Sequence, residues 1–349
     1  VNRPLLQRFL QNKLSVAGVV VIFLMVIITL GGPFLRPDPT PNANDQHLAI
    51  SRQSPGFTVD MLHIPRTDTY REESAVTQWL QGGKELSYRS VPLASWREGD
   101  GELKYTPYGR DTEESIAMTE GIEVVRHTYV LGTDKYGRDL LSRLMAGSAI
   151  SLSVGFVAVL ISLLLGVLLG ALAGYFGGRI DAVVSWLINV VWSIPTLLMV
   201  IAITLAFGKG FWQVFVAVGL TMWVEVARIV RGQFLSIREK EYVEAARALG
   251  YGHWRIITRH ILPNAWGPVI VISAANFASA ILIEAGLSFL GIGAQIPTPS
   301  WGNMIKEHYA LITTDLAYLA LLPGLLIMLL VLSFMMLGNG LRDALDVRR

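Results

Sequence analysis

Six stretches of this chain are apolar for long enough to cross a lipid bilayer: Leu14–Phe34, Ile150–Tyr175, Val183–Ala206, Phe211–Val230, Val269–Leu290 and Leu316–Leu337. A hydrocarbon core about 30 Å thick needs roughly 20 helical residues, since it holds no water to satisfy an open backbone. Composition agrees: only 16% of residues are charged and 52% are hydrophobic, whereas soluble domains carry about a quarter charged residues. The expected fold class is therefore an all-α polytopic membrane protein with six transmembrane helices. The first run follows Arg3, Arg8 and Lys13 and leads through Gly31-Gly32-Pro33 into bulky Phe34-Leu35. It reads as a retained signal anchor, because a cleaved signal peptide has a shorter apolar core and a small-residue cleavage site.

Six spans put both termini on one side. The basic N-terminus, Arg179, the loop from Arg228 to Arg259 and the tail Arg342…Arg348-Arg349 all fall there, and the excess of Lys and Arg marks that side as the cytoplasm. The expected organisation is a cytoplasmic segment 1–13, a first transmembrane helix 14–35, an extracytoplasmic insert 36–128, a core 129–338 with five further spans, and a cytoplasmic tail 339–349. The insert opens on a stiff linker with Pro37, Pro39 and Pro41 and is more acidic than basic. Alternation predicts strands at Phe57–Ile64 and Val124–Leu131, and Glu72–Leu80 reads as a helix. A small α+β domain is expected, without disulfide support since the chain has no cysteine.

The loop at 233–264 is a polar, basic island between two apolar runs. Glu239–Leu249 is rich in helix formers, with Ala245, Ala246 and Leu249 as a small apolar face. Gly250 supplies a left-handed stop, Trp254–Ile261 forms a second helical stretch, and Pro263 suits the start of the next span. A basic amphipathic segment resting on anionic lipid accounts for Arg247, Arg255 and Arg259 but not for the spacing EAA-x3-G-x11-LP carried by Glu244, Ala245, Ala246, Gly250, Leu262 and Pro263. That spacing resembles the cytoplasmic coupling loop of ABC-importer permeases, which docks on an ATPase. The resemblance implies an ATPase-coupling role for Glu241, Glu244, Ala245, Ala246, Gly250, Leu262 and Pro263. His260 stands where the general motif has Ile, and the ending HILPN is similar to the peptide-permease branch.

A second patterned stretch, LGTDKYGRDLLSR, runs from Leu131 to Arg143. It resembles the GTD-x2-GRD-x2-SR segment of the C-type permease subunit of the oligopeptide/dipeptide/nickel importer family, through Gly132, Thr133, Asp134, Gly137, Arg138, Asp139, Ser142 and Arg143. Here Asp134 or Asp139 is expected to cap a short interfacial helix whose polar face Arg138 and Arg143 reach. The family usually has Arg where Ser148 or Ala149 falls, so one charge is missing. YFGGRID (175–181), SIPTLL (193–198), ARIVRGQFLSI (227–237), EAGLSFLGIG (284–293) and PSWGNMI (299–305) extend the likeness. The resemblance implies a type I ABC-importer permease fold moving peptides or related small solutes. It also implies a homologous permease subunit in a heterodimer, two ATPase subunits that bind ATP and Mg, and an extracytoplasmic solute-binding protein. The chain itself is expected to bind no cofactor, metal or nucleic acid, with the lipid bilayer as its surroundings in the bacterial inner membrane.

Charged groups within the spans are functional candidates, since burying them unpaired is costly. Glu284 reads as an interhelical hydrogen-bonding residue, a solute contact or a proton carrier. Glu225 and Arg228, three apart, are placed to share a helix face. Gly166, Gly170 and Gly174 align on one face of the second span, for packing within the subunit or across a dimer. There is no G-x4-G-K-[ST] phosphate loop, no H-E-x-x-H motif and no nucleophile elbow, so the chain is expected to be a non-catalytic transport subunit. An ion-coupled secondary transporter and a membrane-anchored scaffold are the alternatives; the first predicts broken helices and several midplane polar groups, and the coupling loop argues against it, while the second predicts an outer domain that binds a partner and spans that merely anchor it.

Overall fold

The computed structural model describes residues 5–66, 74–99, 101–208, 210–295 and 297–345. Residues 72 and 73 of the predicted insert helix, Arg3, and the terminal Arg348-Arg349 lie outside them. The chain divides into two compact units. One comprises Val1–Met25, Ser151–Gln295 and Leu325–Arg349; the other comprises Val26–Ile150 and Ile296–Gly324.

In chain order the elements begin with α1 (Leu5–Gln11) and α2 (Lys13–Leu35), then β1 (Phe57–Pro65), α3 (Ala75–Gln81), β2 (Tyr88–Gly99), β3 (Glu102–Pro107), β4 (Glu114–Ala117) and β5 (Glu123–Tyr129). After the sheet come α4 (Leu140–Phe176), α5 (Gly178–Trp192), α6 (Thr196–Phe207), α7 (Phe211–Ile237), α8 (Glu241–Ala248) and α9 (His253–Ile256). A π-helical turn, Ile257–Ile261, leads into α10 (Leu262–Leu290), followed by α11 (Trp301–His308) and α12 (Tyr318–Leu345).

In the helical unit the core forms round α7. Val226, Val230 and Phe234 pack with Ala171 and Tyr175 of α4, Val243 and Ala246 of α8, and Ala265 and Val269 of α10. The glycine stripe of α4 lies against α7: a Cβ at Gly170 would come within 2.5 Å of the Ala227 carbonyl oxygen, and Gly166 and Gly174 face Val226 and Phe234 in the same way. Packing inside the subunit therefore accounts for this spacing. Near the N-terminus, the Ser15 hydroxyl donates to the Met336 carbonyl at 3.0 Å, and a Cβ on Gly18 would meet the Ser333 carbonyl oxygen at 2.7 Å.

Five helical stretches have spanning length and apolarity: α2, α4, 212–237 within α7, the continuous rod His253–Leu290, and α12. The predicted third span, Val183–Ala206, is not one rod but α5 and α6, bent by 93°. At about 1.5 Å per residue their 15 and 12 residues fall short of a 30 Å core. The cause is local: Pro195 brings no N–H and sits at φ −54°, ψ 124°, and the residue before a proline is pushed out of the helical region. The α5 backbone closes with the Ser193 N–H donating to Asn189 at 3.0 Å.

In the other unit a five-stranded antiparallel sheet has the order β4-β3-β2-β1-β5. Strand β1 covers the predicted Phe57–Ile64, β5 covers the predicted Val124–Leu131 only as far as Tyr129, and the two pair with one another. β1 is an inner strand with both faces covered: Val59 and Met61 pack with Ile50 and Tyr129, while Leu62 packs with Leu93, Leu103 and Tyr105. This is the period of two expected of a pleated strand buried on both sides. α3 starts on the Ser74 cap, whose hydroxyl accepts from the Thr77 N–H at 3.2 Å, and stops at left-handed Gly82.

Candidate functional site

The 241–264 loop is held by its own backbone chemistry. α8 ends in a Schellman closure: the Gly250 N–H donates to the Arg247 carbonyl at 2.9 Å and the Tyr251 N–H to the Ala246 carbonyl at 3.1 Å. That closure needs a left-handed residue, supplied by Gly250 at φ 77°. Glu241 and Glu244 lie in the first turn of α8, where negative charge favours the helix dipole. The face of α8 differs from the predicted one. Ala246 turns inward with Val243 onto α7, while Ala245 and Leu249 stay exposed. Leu249 and Trp254 are 71% and 65% exposed, large apolar side chains on the same loop as acidic Glu241 and Glu244.

The second arm of the loop is no separate helix. α9, the π turn and α10 form the rod His253–Leu290. Pro263 cannot donate to the carbonyl four residues earlier, and the wider turn just before it accommodates that break. Asn264 takes up the slack: its amide donates to the His260 carbonyl at 2.8 Å and to the Tyr242 hydroxyl at 3.2 Å, tying the rod to α8. The Tyr175 hydroxyl meets His253 Nδ1 at 2.9 Å, with the Arg247 guanidinium 5.6 Å from the Tyr175 ring centre. Residue-type reasoning left Tyr175, Tyr242 and Asn264 without a role, although all three stand inside the quoted motifs or beside them. The same applies to Asp181 and Arg231, whose bidentate pair joins YFGGRID to ARIVRGQ; its Nη2–Oδ2 arm measures 2.7 Å.

The 131–143 stretch forms a buried polar knot. Asp134 brackets its own loop, accepting from the N–H groups of Tyr136 at 2.8 Å and Arg138 at 3.0 Å. Its second oxygen accepts from Arg138 Nε at 2.6 Å. Arg138 is fully buried, and its other nitrogens reach Asn44 and Glu307 at 3.2 Å each. The expectation of a short interfacial helix is corrected: Asp139 caps the long helix α4 itself, accepting from the Ser142 N–H at 2.7 Å, and Arg138 is interior rather than on a polar face. Arg143 donates to the carbonyls of Asn42 and Pro297 at 3.0 and 2.9 Å. Thr133 donates to Ile50 at 2.6 Å. Gly132 and Gly137 take left-handed conformations against the Gln53 and His47 carbonyls, leaving no space for a Cβ. At the position without the usual arginine, the Ser148 hydroxyl bonds Thr29 Oγ1 at 2.8 Å.

Two histidines of this unit are shifted downward by burial. Burial pushes His127 and His308 below their ordinary 6.5, against the upward pull of Asp139 on His127 and of the Met304 carbonyl on His308. A depressed histidine contributes stability that is complete above the unfolded value and is lost as pH falls through the folded one. Acidification from about pH 7 to pH 5.5 should therefore speed amide exchange along β5, after correction for intrinsic rates, and His127→Gln should flatten the trend. Asp139, raised by burial, acts in the opposite sense; equal exchange across the window in the wild type would sink the prediction.

Glu284 is buried in α10, where its Oε1 accepts from Ser288 one turn on at 2.6 Å. Glu225 is exposed and lines a cavity of about 330 Å³ at the α5–α6 break. Arg228 does not pair with it among the described residues; its guanidinium lies 3.2 Å from the ring centre of Trp192. Among the described residues no three His, Cys, Asp or Glu side chains group as metal ligands.

Long apolar helices packed round α7, with a polar helical hairpin at one end of α10, define an integral, multi-pass membrane protein. The chain belongs to the family of binding-protein-dependent transport system inner membrane components, whose model matches residues 166–349. Residues 4–55 match the N-terminal transmembrane domain of oligopeptide transport permease C. The oligopeptide transport system permease protein OppC of Escherichia coli (strain K12) is 43% identical over 230 residues, 66% of this chain and 76% of that protein. The dipeptide transport system permease protein DppC of Alkalihalophilus pseudofirmus is 42% identical over 215 residues, 62% of this chain and 70% of its own. The glutathione transport system permease protein GsiD of Pectobacterium atrosepticum is 40% identical over 219 residues, 62% of this chain and 71% of its own. The chain is thus a non-catalytic permease subunit of an ABC importer.

Proposed function

We propose that this permease imports short peptides, with the 241–264 loop as the element that an ATPase subunit pushes. The carrying observation is mechanical: the loop's second arm and a membrane helix are one rod, His253–Leu290, clamped to α8 through Asn264 and Tyr242. Force on exposed Trp254 is passed directly along that rod, and force on Leu249 at the end of α8 enters it through the Tyr242–Asn264 clamp. The peptide cargo is supported by the relatives named for oligopeptide, dipeptide and glutathione transport.

In this reading α5 and α6 together make one passage, giving six spans with both termini in the cytoplasm, in keeping with the basic residues on that side. The sheet unit and the 291–315 loop face outward. A homologous permease subunit completes the pathway, two ATPases carry ATP and Mg, and an extracytoplasmic binding protein delivers the solute. ATPase closure shifts the equilibrium from inward-open to outward-open, and release of the products restores it. Glu225, at the helix break, and Glu284, within α10, are the candidate polar groups of the pathway. The GTD…GRD knot positions rather than transports, since Arg138 is spent on Asp134 and Glu307, Arg143 on backbone carbonyls and Asp139 on the helix cap.

The test is vanadate-sensitive peptide uptake by the assembled transporter. Nothing lies within 4 Å of a Cβ built on Gly250, so substitutions there act through the left-handed backbone alone. Gly250→Asn, which tolerates that conformation, should keep most of the coupling between ATP hydrolysis and uptake. Gly250→Val should lower transport per ATP at least several-fold while insertion stays normal, as the strain of about 1–2 kcal/mol unwinds the Schellman closure. Equal coupling in both variants, or uptake without any ATPase subunit, would overturn the assignment.

A further inference from the structure

The sheet unit carries a cavity of about 780 Å³ between the linker after α2 and strand β2, a volume typical of small-ligand sites. Its wall is an open strand edge. β2 pairs with β1 over Tyr88–Leu93, but β3 joins its other side only from Leu93 onward. β3 ends at Pro107, where a turn closed by the Arg110 N–H on the Pro107 carbonyl at 3.1 Å, with Gly109 at φ 74°, leads the chain away. Among the described residues no strand covers the other edge of Tyr88–Pro92.

The direction of the free groups follows from the ladder. The Pro92 carbonyl accepts from the Tyr108 N–H at 2.8 Å, so it points to the β3 side. Backbone groups alternate sides along a strand, so the N–H and C=O of Ser90 and of Tyr88 face the cavity. Pro92, lacking an N–H, stands where an uncovered edge tolerates it.

The charges round this edge are of both signs. Arg66, Arg89 and Arg110 line the cavity together with Asp45 and Glu85. Arg110 is shared with Glu114 at 3.1 Å and Asp45 with His47 at 3.0 Å. A guanidinium set suits a terminal carboxylate and the carboxylates suit a terminal ammonium. An uncovered strand edge adds main-chain recognition, the mode by which extended peptides extend a sheet. Residues 56–165 fall between the two family matches, 4–55 and 166–349, so this wall is an addition to the matched permease regions.

We propose that this cavity binds a short peptide with free ends as an added strand on the open edge of β2. This rests on the reading that peptides are the cargo and that the sheet unit faces outward. Tri-alanine is titrated into the purified full-length chain in lipid nanodiscs by calorimetry, with ATP-driven uptake of tri-alanine by the assembled transporter measured alongside. Saturable binding is expected. N-acetylation, C-terminal amidation and N-methylation of the central amide should each weaken it at least ten-fold, as should Arg89→Gln and Glu85→Gln. No saturable binding, or equal binding across the four probes, overturns the inference even if a variant misfolds, because those arms alter only the ligand. Unchanged binding in both folded variants overturns it too, by placing the peptide elsewhere. ATP-driven uptake without binding here sinks this site and leaves the transport reading standing. Binding here without such uptake does the reverse.

Discussion

Arg138→Met should be among the most damaging single changes in this protein, destabilising it by about 3–5 kcal/mol, the usual consequence of removing one partner from a buried ion pair. The guanidinium is fully buried and satisfies Asp134 at 2.6 Å and Glu307 at 3.2 Å. Without it two carboxylates face a site that water does not reach freely, and repulsion adds to desolvation. Arg138→Lys should fall between, because a single ammonium cannot fork to both acids. The measurement is denaturant-dependent proteolysis of the nanodisc-embedded chain, read at a cleavage site in the sheet unit. Resistance equal to wild type in Arg138→Met would falsify the assignment of the knot as the tie among the linker, the 131–143 loop and α11.

Gly170→Val should be comparably severe for the helical unit. Its Cβ would sit 2.5 Å from the Ala227 carbonyl oxygen and 3.1 Å from the Ala227 Cα. Backbone atoms cannot rotate aside, so α4 and α7 must separate along a seam that also holds Gly166 and Gly174. Overpacking typically costs about 1–3 kcal/mol, and a clash with main chain belongs at or above the top of that range. Gly232→Ala is the matched control: nothing lies within 4 Å of its Cβ, and alanine favours a helix by about 1 kcal/mol. Wild-type folding yield in the membrane for Gly170→Val, or loss for Gly232→Ala, would refute the close-packed seam.

Much of this molecule is legible from residue order because its strongest signals are local. Apolar runs of spanning length correspond to helices, and a glycine after EYVEAARAL closes a helix as its own N–H and that of the next residue donate to carbonyls three and five positions before each donor. What escaped depends on distant partners or on competition between neighbours. Arg138 reads as a surface cation until Asn44 and Glu307, 94 and 169 positions away, enclose it. Strand β2 is not foreseen because Pro92 and its exposed second half break the alternation, yet β1 and β3 hold it by register. The third span reads as continuous by hydropathy, whereas Ser193-Ile194-Pro195 turns it through a right angle. Helix α4 begins ten positions before its predicted start because Asp139 caps it there; polar residues in that first stretch hide its helical character from an apolarity count.

Strands β1 and β5 lie side by side, with Phe57 opposite Tyr129. The sheet thus leaves its surroundings and returns to them at nearly the same point. A chain that makes a closed excursion of this kind asks little of its host: the two flanking residues need only stand one strand spacing apart, about 4.8 Å. Loop-closure entropy grows slowly with length, so such a cassette can be enlarged, shrunk or exchanged while the stem stays paired. Variation in what this permease meets on that face can accordingly be confined to the excursion, without reworking the helices that carry the solute.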